Sequence, residues 1–362
     1  MSNGEVDMRA MLSTAVDGGP SGEFCGAALI ARGADVLFAT ARGFADRDRV
    51  IPNTLDTRFA IGSVTKQFTA AAILCLEAEG RLSVDDRIDV HLGDFPEPKN
   101  TAKIHDLLTH TGGLVREGTT WITTSRDAFV QAMRETPMES VPGARCRYSN
   151  AGFGLLGAII ETVAGSSYEE VLASRFFRPL GMTSSGCFDA SAWSSGRVHA
   201  HGYRCHRRAD GTFSALEPVL PGTTDWARDW SVRAAAGVTS TVLDLHRWEV
   251  ALASGTVLSS EATRRLFAPH VRMPGRSGSY AYGWCVERSP GGEVTVFHPG
   301  RYEGFQSAYV RYPDRGLVTI LLTNVIVDDG DDAWYTSIQD KIETAIYGDP
   351  PGGKADVQGV TP

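Results

Sequence analysis

The chain has 362 residues, of which 42% are hydrophobic and 22% charged, ordinary globular usage that can build a sizeable core in one large domain or two. A formal net charge of -8 leaves no basic stripe to neutralise phosphates, which excludes a nucleic-acid binder. The N-terminus shows no basic segment followed by an apolar one, and no stretch approaches about eighteen uninterrupted apolar residues, so the sequence predicts a cytoplasmic protein without a membrane span.

Residues 5–16 read as an amphipathic helix, followed by a loop of Gly18-Gly19-Pro20-Ser21-Gly22. Phe24 to Ala31 and Val36 to Phe44 are short apolar runs on either side of Arg32-Gly33-Ala34-Asp35, the pattern of a hairpin. Arg58 to Ile61 reads as an edge strand that delivers the chain to Ser63. From Ser63 to Glu79 an Ala-rich apolar run stops at Gly80, which predicts a mostly buried helix. Asp94-Phe95-Pro96-Glu97-Pro98 is a connector. In Ile104 to Leu114 a short helical turn meets a glycine stop, and His105 and His110 are expected to fix that turn by bonding backbone carbonyls.

Helices are expected at Ser125 to Glu135, Asn150 to Ala164 and Tyr168 to Phe177. From Ser184 to Trp230 periodicity fades into a long irregular stretch of the kind that covers a cleft, with Trp226 and Trp230 as candidate lining of a substrate site or, equally, as buried packing. His199, His201, Cys205 and His206 within it match no standard zinc spacing, so no metal is expected. A helix from Thr239 to Ala253 would carry Asp244 and Arg247 on its polar side. Strands follow at Tyr282 to Glu287, Glu293 to His298, Phe305 to Tyr312 and Leu317 to Thr323, then a helix from Ala333 to Tyr347 and a flexible tail over 350–362. The six cysteines are widely spaced and form no Cys-x-x-Cys, which suits free thiols. The simplest packing is an α/β fold: one antiparallel sheet made from both chain ends, flanked by helices, with an inserted all-α subdomain. Residues 1–349 would form one domain, with 1–90 plus 235–349 as the α/β part and 91–234 as the helical part.

Three places carry chemistry. Ser63 and Lys66 lie three residues apart at a helix start, where they share a face and where free N–H groups favour developing negative charge. Alone, a Ser-x-x-Lys is far more often a helix cap beside a lysine that reaches for water. In Tyr148-Ser149-Asn150 the first and third side chains of an extended segment face one side. His298-Pro299-Gly300 sets an imidazole beside a glycine that lets a ligand approach the backbone.

Together, Ser63-Val64-Thr65-Lys66, Tyr148-Ser149-Asn150 and His298-Pro299-Gly300 resemble, in order and spacing, the three motifs of the penicillin-recognising serine hydrolases: class C β-lactamases, DD-peptidases, related esterases and D-aminopeptidases. The resemblance runs from about Phe24 to Thr323. It implies a β-lactamase-like fold and a catalytic set of Ser63, Lys66, Tyr148, Asn150 and His298, with Ser63 forming an acyl-enzyme. Lys66 or Tyr148 would be the base, the N–H groups of Ser63 and Arg301 the oxyanion hole, and Gly300 part of the substrate site. A tyrosine serving as base near pH 7 needs about 4 kcal/mol of help from cations. In many relatives a lysine opens the third motif, whereas His298 is largely neutral at pH 7. Tyr148 and Lys66 are therefore expected to share the proton, with activity rising towards mildly alkaline pH. Pro299 stands where many relatives have a Thr or Ser that bonds a substrate carboxylate, and proline donates nothing.

The expected activity is hydrolysis of an ester or amide, of esterase, amidase or D-aminopeptidase type, on a small-molecule or peptide acyl substrate and without a cofactor. Three alternatives stand beside it: an acyltransferase or peptide cyclase using the same intermediate, a β-lactamase or DD-carboxypeptidase, and a non-catalytic binding module. The oligomeric state stays open.

Overall fold

A computed structural model of the chain describes residues 24–116, 123–187, 198–210, 212–219, 230–288 and 292–327, with 341 and 344. The helix expected over 5–16, Trp226 and the 350–362 tail lie outside the described residues, as does most of the Ala333 to Tyr347 segment, of which Lys341 and Thr344 are helical.

The main sheet has eight antiparallel strands, β1 (Gly26–Arg32), β2 (Asp35–Arg42), β3 (Val271–Arg272), β4 (Ser279–Tyr280), β5 (Cys285–Arg288), β6 (Val294–Tyr302), β7 (Phe305–Tyr312) and β8 (Leu317–Thr323). Their spatial order is β3-β4-β5-β6-β7-β8-β1-β2. The N-terminal hairpin thus completes a C-terminal meander, with Gly26 opposite Thr323 and Arg32 opposite Leu317. Side chains alternate between two apolar faces, as the period of a strand requires. Leu29, Ala31, Tyr309, Ile320 and Leu322 belong to the large core, and Ala28, Ile30, Ala308, Val310 and Leu321 to a smaller one on the other face.

The Lys66–Ala78 helix runs through the large core, where Phe68 packs against Phe177 and Trp248. Its neighbours include the Asn150–Ala164 helix, capped by Ser149 and ended by Gly165 in the left-handed region. The Arg126–Glu135 helix is capped by Ser125, and the buried Lys99 ammonium donates to the carbonyls of Met133, Arg134 and Thr136 at its other end. Among the described residues no helix is long and apolar enough to cross a membrane, and all six cysteines are free.

Several expectations shift by local physics. The helix expected from Ser63 begins at Lys66, because Gly62–Thr65 forms a tighter 3-10 turn. The strand expected at Arg58 to Ile61 shortens to Phe59–Ala60 and pairs with Val238–Ser240, which also pairs with Gly186–Cys187. That pairing takes the first residues of the helix expected from Thr239, which starts at Val242 under a Thr241 cap. Asp244 is buried rather than solvent-facing: it accepts from Ser184 N–H, Ser185 Oγ and Arg247 Nη1. The segment from Tyr168 continues past Leu172 as a wider π turn to Phe177. β6 runs on to Tyr302 through Pro299, a residue that interior strands avoid; β5 pairs only as far as Phe297, so the missing proline N–H interrupts no ladder there. The Ser260–Phe267 helix and the Glu217–Val219 and Val325–Val327 strands carry no periodic signal of their own in the sequence, whereas the strand expected around His201 and Tyr203 forms over Gly202–Cys205.

Candidate active site

Ser63 is held where the 3-10 turn meets the edge of β6. Gly62 has φ +52°, and a Cβ there would stand 2.6 Å from the backbone nitrogen and 2.7 Å from the carbonyl oxygen of Arg301. A Cβ at Gly300 would stand 2.1 Å from the Ile61 carbonyl oxygen and 2.2 Å from Ser307 Oγ. Ser307 Oγ donates to that same carbonyl at 2.7 Å, tying β7 to the turn across the glycine. Two missing side chains therefore let strand and turn touch, which brings the main chain of Arg301 beside the turn that carries Ser63. On its other side the turn is fastened to Val238, with Ile61 N–H donating to the Val238 carbonyl and Val238 N–H to Thr65 Oγ1.

Lys66 is fully buried at the head of its helix. Its ammonium donates to Ser63 Oγ at 3.1 Å, Asn150 Oδ1 at 2.7 Å and the Ala235 carbonyl at 2.9 Å, three acceptors for the three protons it carries. Ala235 belongs to the short Arg233–Ala236 helix, whose Ala234 carbonyl takes the hydroxyl of Thr69 one turn further along the lysine's helix. Tyr148 Oη bonds Ser63 Oγ at 2.8 Å, and the Lys66 ammonium lies 4.8 Å from the centre of the Tyr148 ring. Serine oxygen, phenol and ammonium thus meet at one point, and the positive charge favours negative charge on either oxygen. That arrangement can pass the serine proton to a neighbour while a carbon is attacked.

The structure brings Ser63, Lys66, Tyr148 and Asn150 together, and Asn150 turns its side-chain oxygen to Lys66. His298 is nearby but differently engaged. It is 1% exposed, its Nδ1–H donates to the Pro299 carbonyl at 2.6 Å, and Nε2 accepts from the Tyr280 hydroxyl at 3.0 Å. Its ring centre lies 6.2 Å from that of Tyr148. Burial first, and the Lys66 charge second, push its pKa down to about 3, so the imidazole is neutral. The structure thus places His298 beside the site with both ring nitrogens engaged, by Tyr280 and by the Pro299 carbonyl.

Trp230 takes the packing place of the two expected for it. It is 6% exposed, packs against Phe129 with ring centres 5.8 Å apart and belongs to the large core. The histidines of the Ile104 to Leu114 segment bond other groups than the backbone carbonyls expected of them. His105 Nδ1 meets the Tyr282 hydroxyl at 2.8 Å, and His110 Nδ1 accepts from Ser149 N–H at 3.2 Å. His199, His201 and Cys205 turn to separate neighbours, Arg58, Asp46 and the Ile326 carbonyl. Tyr280, His110 and the Ala235 carbonyl shape the site without having been singled out for it; the one visible signal was His110, inside Thr109-His110-Thr111-Gly112-Gly113.

Comparison with known proteins places this geometry. A family model described as Beta-lactamase matches residues 14–339. The chain belongs to the Beta-lactamase family. It is 27% identical over 342 residues to penicillin-binding protein 4* of Bacillus subtilis (strain 168), covering 92% of this chain and 74% of that protein. It is 26% identical over 313 residues to a D-aminopeptidase of Brucella anthropi, covering 83% of this chain but just 56% of that protein, a little over half its length. The crystal structure of a penicillin binding protein from Bacillus halodurans superposes with a TM-score of 0.73 at 26% identity, covering 95% of this chain and 99% of that one. The β-lactamase-like α/β fold implied by the three motifs is the fold of this chain.

Proposed function

We propose that this member of the Beta-lactamase family is a serine hydrolase that forms a covalent acyl-enzyme on Ser63 and cleaves an ester or amide, including amides of D-amino-acid type. The observation that carries the reading is the approach of Tyr148 Oη to 2.8 Å and Lys66 Nζ to 3.1 Å of one buried serine oxygen. In the form that has lost one proton, the Lys66–Tyr148 pair takes the Ser63 proton as Oγ attacks the acyl carbon, and the carbonyl oxygen becomes an oxyanion held by the N–H groups of Ser63 and Arg301. When the tetrahedral intermediate collapses, the bond to the leaving group breaks and the proton passes from the pair to that group. Water, activated by the same pair, then attacks the ester on Ser63 and releases the acid. Asn150 holds Lys66 in line through its Oδ1.

His298 stays neutral throughout, so Lys66 supplies the positive charge next to the phenol, and activity rises towards mildly alkaline pH. Turnover of a panel of p-nitrophenyl esters, D-amino-acid amides and β-lactams by wild type and Ser63→Ala tests the reading. Loss of all turnover in the variant is expected; turnover that survives it, or a wild-type optimum at about pH 5 to 6, contradicts the mechanism.

A further inference from the structure

His110 lies outside the three motifs, yet three of its parts hold Tyr148. Its carbonyl accepts from Arg147 N–H at 2.8 Å, and its Nδ1 accepts from Ser149 N–H at 3.2 Å. One residue therefore grips the Cys146–Arg147 peptide, one residue short of Tyr148, and the Tyr148–Ser149 peptide that follows it. The imidazole itself packs on the Tyr148 ring with centres 4.3 Å apart, and on Tyr280 and Phe153 at 4.4 and 5.2 Å.

The backbone bears the mark of that double grip. His110 has φ +59°, a left-handed conformation that only one other non-glycine residue among those described, Val50, adopts. Side chains with a Cβ avoid this region, and where they occupy it surrounding contacts hold them there. The second mark is on the ring. Since Nδ1 is an acceptor, the proton sits on Nε2, and Nε2 is buried without a hydrogen-bond partner in a residue 2% exposed. A side chain kept only for packing would be better served by phenylalanine, which buries no orphan donor. The buried imidazole resists protonation, so its Nδ1 lone pair remains available to Ser149.

We infer that His110 is a positioning residue for acylation: by holding the N–H groups of Arg147 and Ser149, the residues on either side of Tyr148, and packing on its ring, it keeps the phenol oxygen at bonding distance from Ser63. This rests on the serine-hydrolase reading above. Tyr148 starts a helix-capping segment, since Ser149 Oγ accepts from Gly152 N–H, and without the Nδ1 contact the 147–150 stretch is anchored from that side and by Asn150 N–H donating to the Arg116 carbonyl. A misplacement of about 1 Å at a reacting group can cost about a hundredfold in rate.

Three variants separate positioning from packing. His110→Phe keeps a ring but loses the acceptor; His110→Asn tolerates a left-handed backbone and offers an oxygen to Ser149; His110→Gly relieves the backbone and offers nothing. The acylation rate constant and KM for a p-nitrophenyl ester are measured beside the thermal midpoint, with Ser63→Ala as the control for the reading itself. The expected result is acylation slowed roughly 10–100-fold in His110→Phe and His110→Gly at nearly unchanged KM, with His110→Asn recovering most of the rate. Should His110→Phe fail to fold, the comparison of Asn with Gly carries the same test. Acylation within about threefold of wild type in folded His110→Phe or His110→Gly, or a rate in His110→Asn as low as in His110→Gly, overturns the positioning role. If turnover persists in Ser63→Ala, it is the serine-hydrolase reading that fails.

Discussion

Gly300→Ala probes the contact that aligns the strand of the proposed oxyanion hole with Ser63. The added Cβ would stand 2.1 Å from the Ile61 carbonyl oxygen and 2.2 Å from Ser307 Oγ, both on the small interface between β6, β7 and the Ser63 turn. Carbon and oxygen come no closer than about 3.3 Å without strain, so strand and turn must separate by about 1 Å. Overpacking of this kind costs about 1–3 kcal/mol, and disturbing the Ser307–Ile61 hydrogen bond adds about 1 kcal/mol. Because the separation moves Arg301 away from Ser63, the acylation rate should fall about a hundredfold, or about 2.7 kcal/mol in the barrier. Pre-steady-state release of p-nitrophenol gives that rate, and thermal melting gives the stability. Gly186→Ala is the matched control, since a Cβ there meets nothing within 4 Å; it should change stability by less than about 0.5 kcal/mol and leave the rate alone. Acylation by Gly300→Ala within about threefold of wild type would refute the reasoning, because it would mean that the strand edge does not set the oxyanion contact.

Lys66→Met should lower kcat/KM about a thousandfold while moving the urea midpoint by no more than about 2 kcal/mol of stability, since relief from burying an ammonium offsets the hydrogen bonds lost; a loss of activity that merely tracks unfolding would count against this. His298 has a folded pKa of about 3 against about 6.5 when unfolded, so its contribution is complete above pH 6.5 and is lost as pH falls towards 3. Denaturant titrations should therefore show wild type losing about 2 kcal/mol more than His298→Gln between pH 7.5 and 5, and equal slopes would disprove a buried neutral imidazole. Burial pushes the thiols of Cys75 and Cys146 up to about 11 and that of Cys285 up to about 12, so iodoacetamide at pH 7.5 should leave turnover intact over an hour-long incubation; rapid inactivation would show a reactive thiol at the site.

Much of this architecture was legible because local signals and tertiary structure agree. Asn150–Ala164 has a Ser cap, an apolar body and a terminal glycine, and its observed span matches the expected one; β7 and β8 likewise follow their apolar runs between turn residues. Ser63, Lys66 and Tyr148 were legible as motifs, though not the turn that holds the serine, since Gly62–Thr65 tightens under the press of β6 and the Val238 strand. What the sequence could not supply was direction. Asp244 on a helix looks solvated until Ser184 and Ser185 arrive from 60 and 59 residues away, and Trp230 could line a cleft or pack until Phe129 meets it. His298 shows the same limit more sharply: motif order brings it to the site but does not show its ring's bonds to Tyr280 and the Pro299 carbonyl.

The most direct test of the central claim is peptide-level mass spectrometry of the protein quenched during turnover of a p-nitrophenyl ester. A single acyl adduct on the peptide carrying Ser63, absent in Ser63→Ala, is the predicted result. Turnover with no adduct there, or an adduct on another residue that turns over at the same rate, would contradict the acyl-enzyme account.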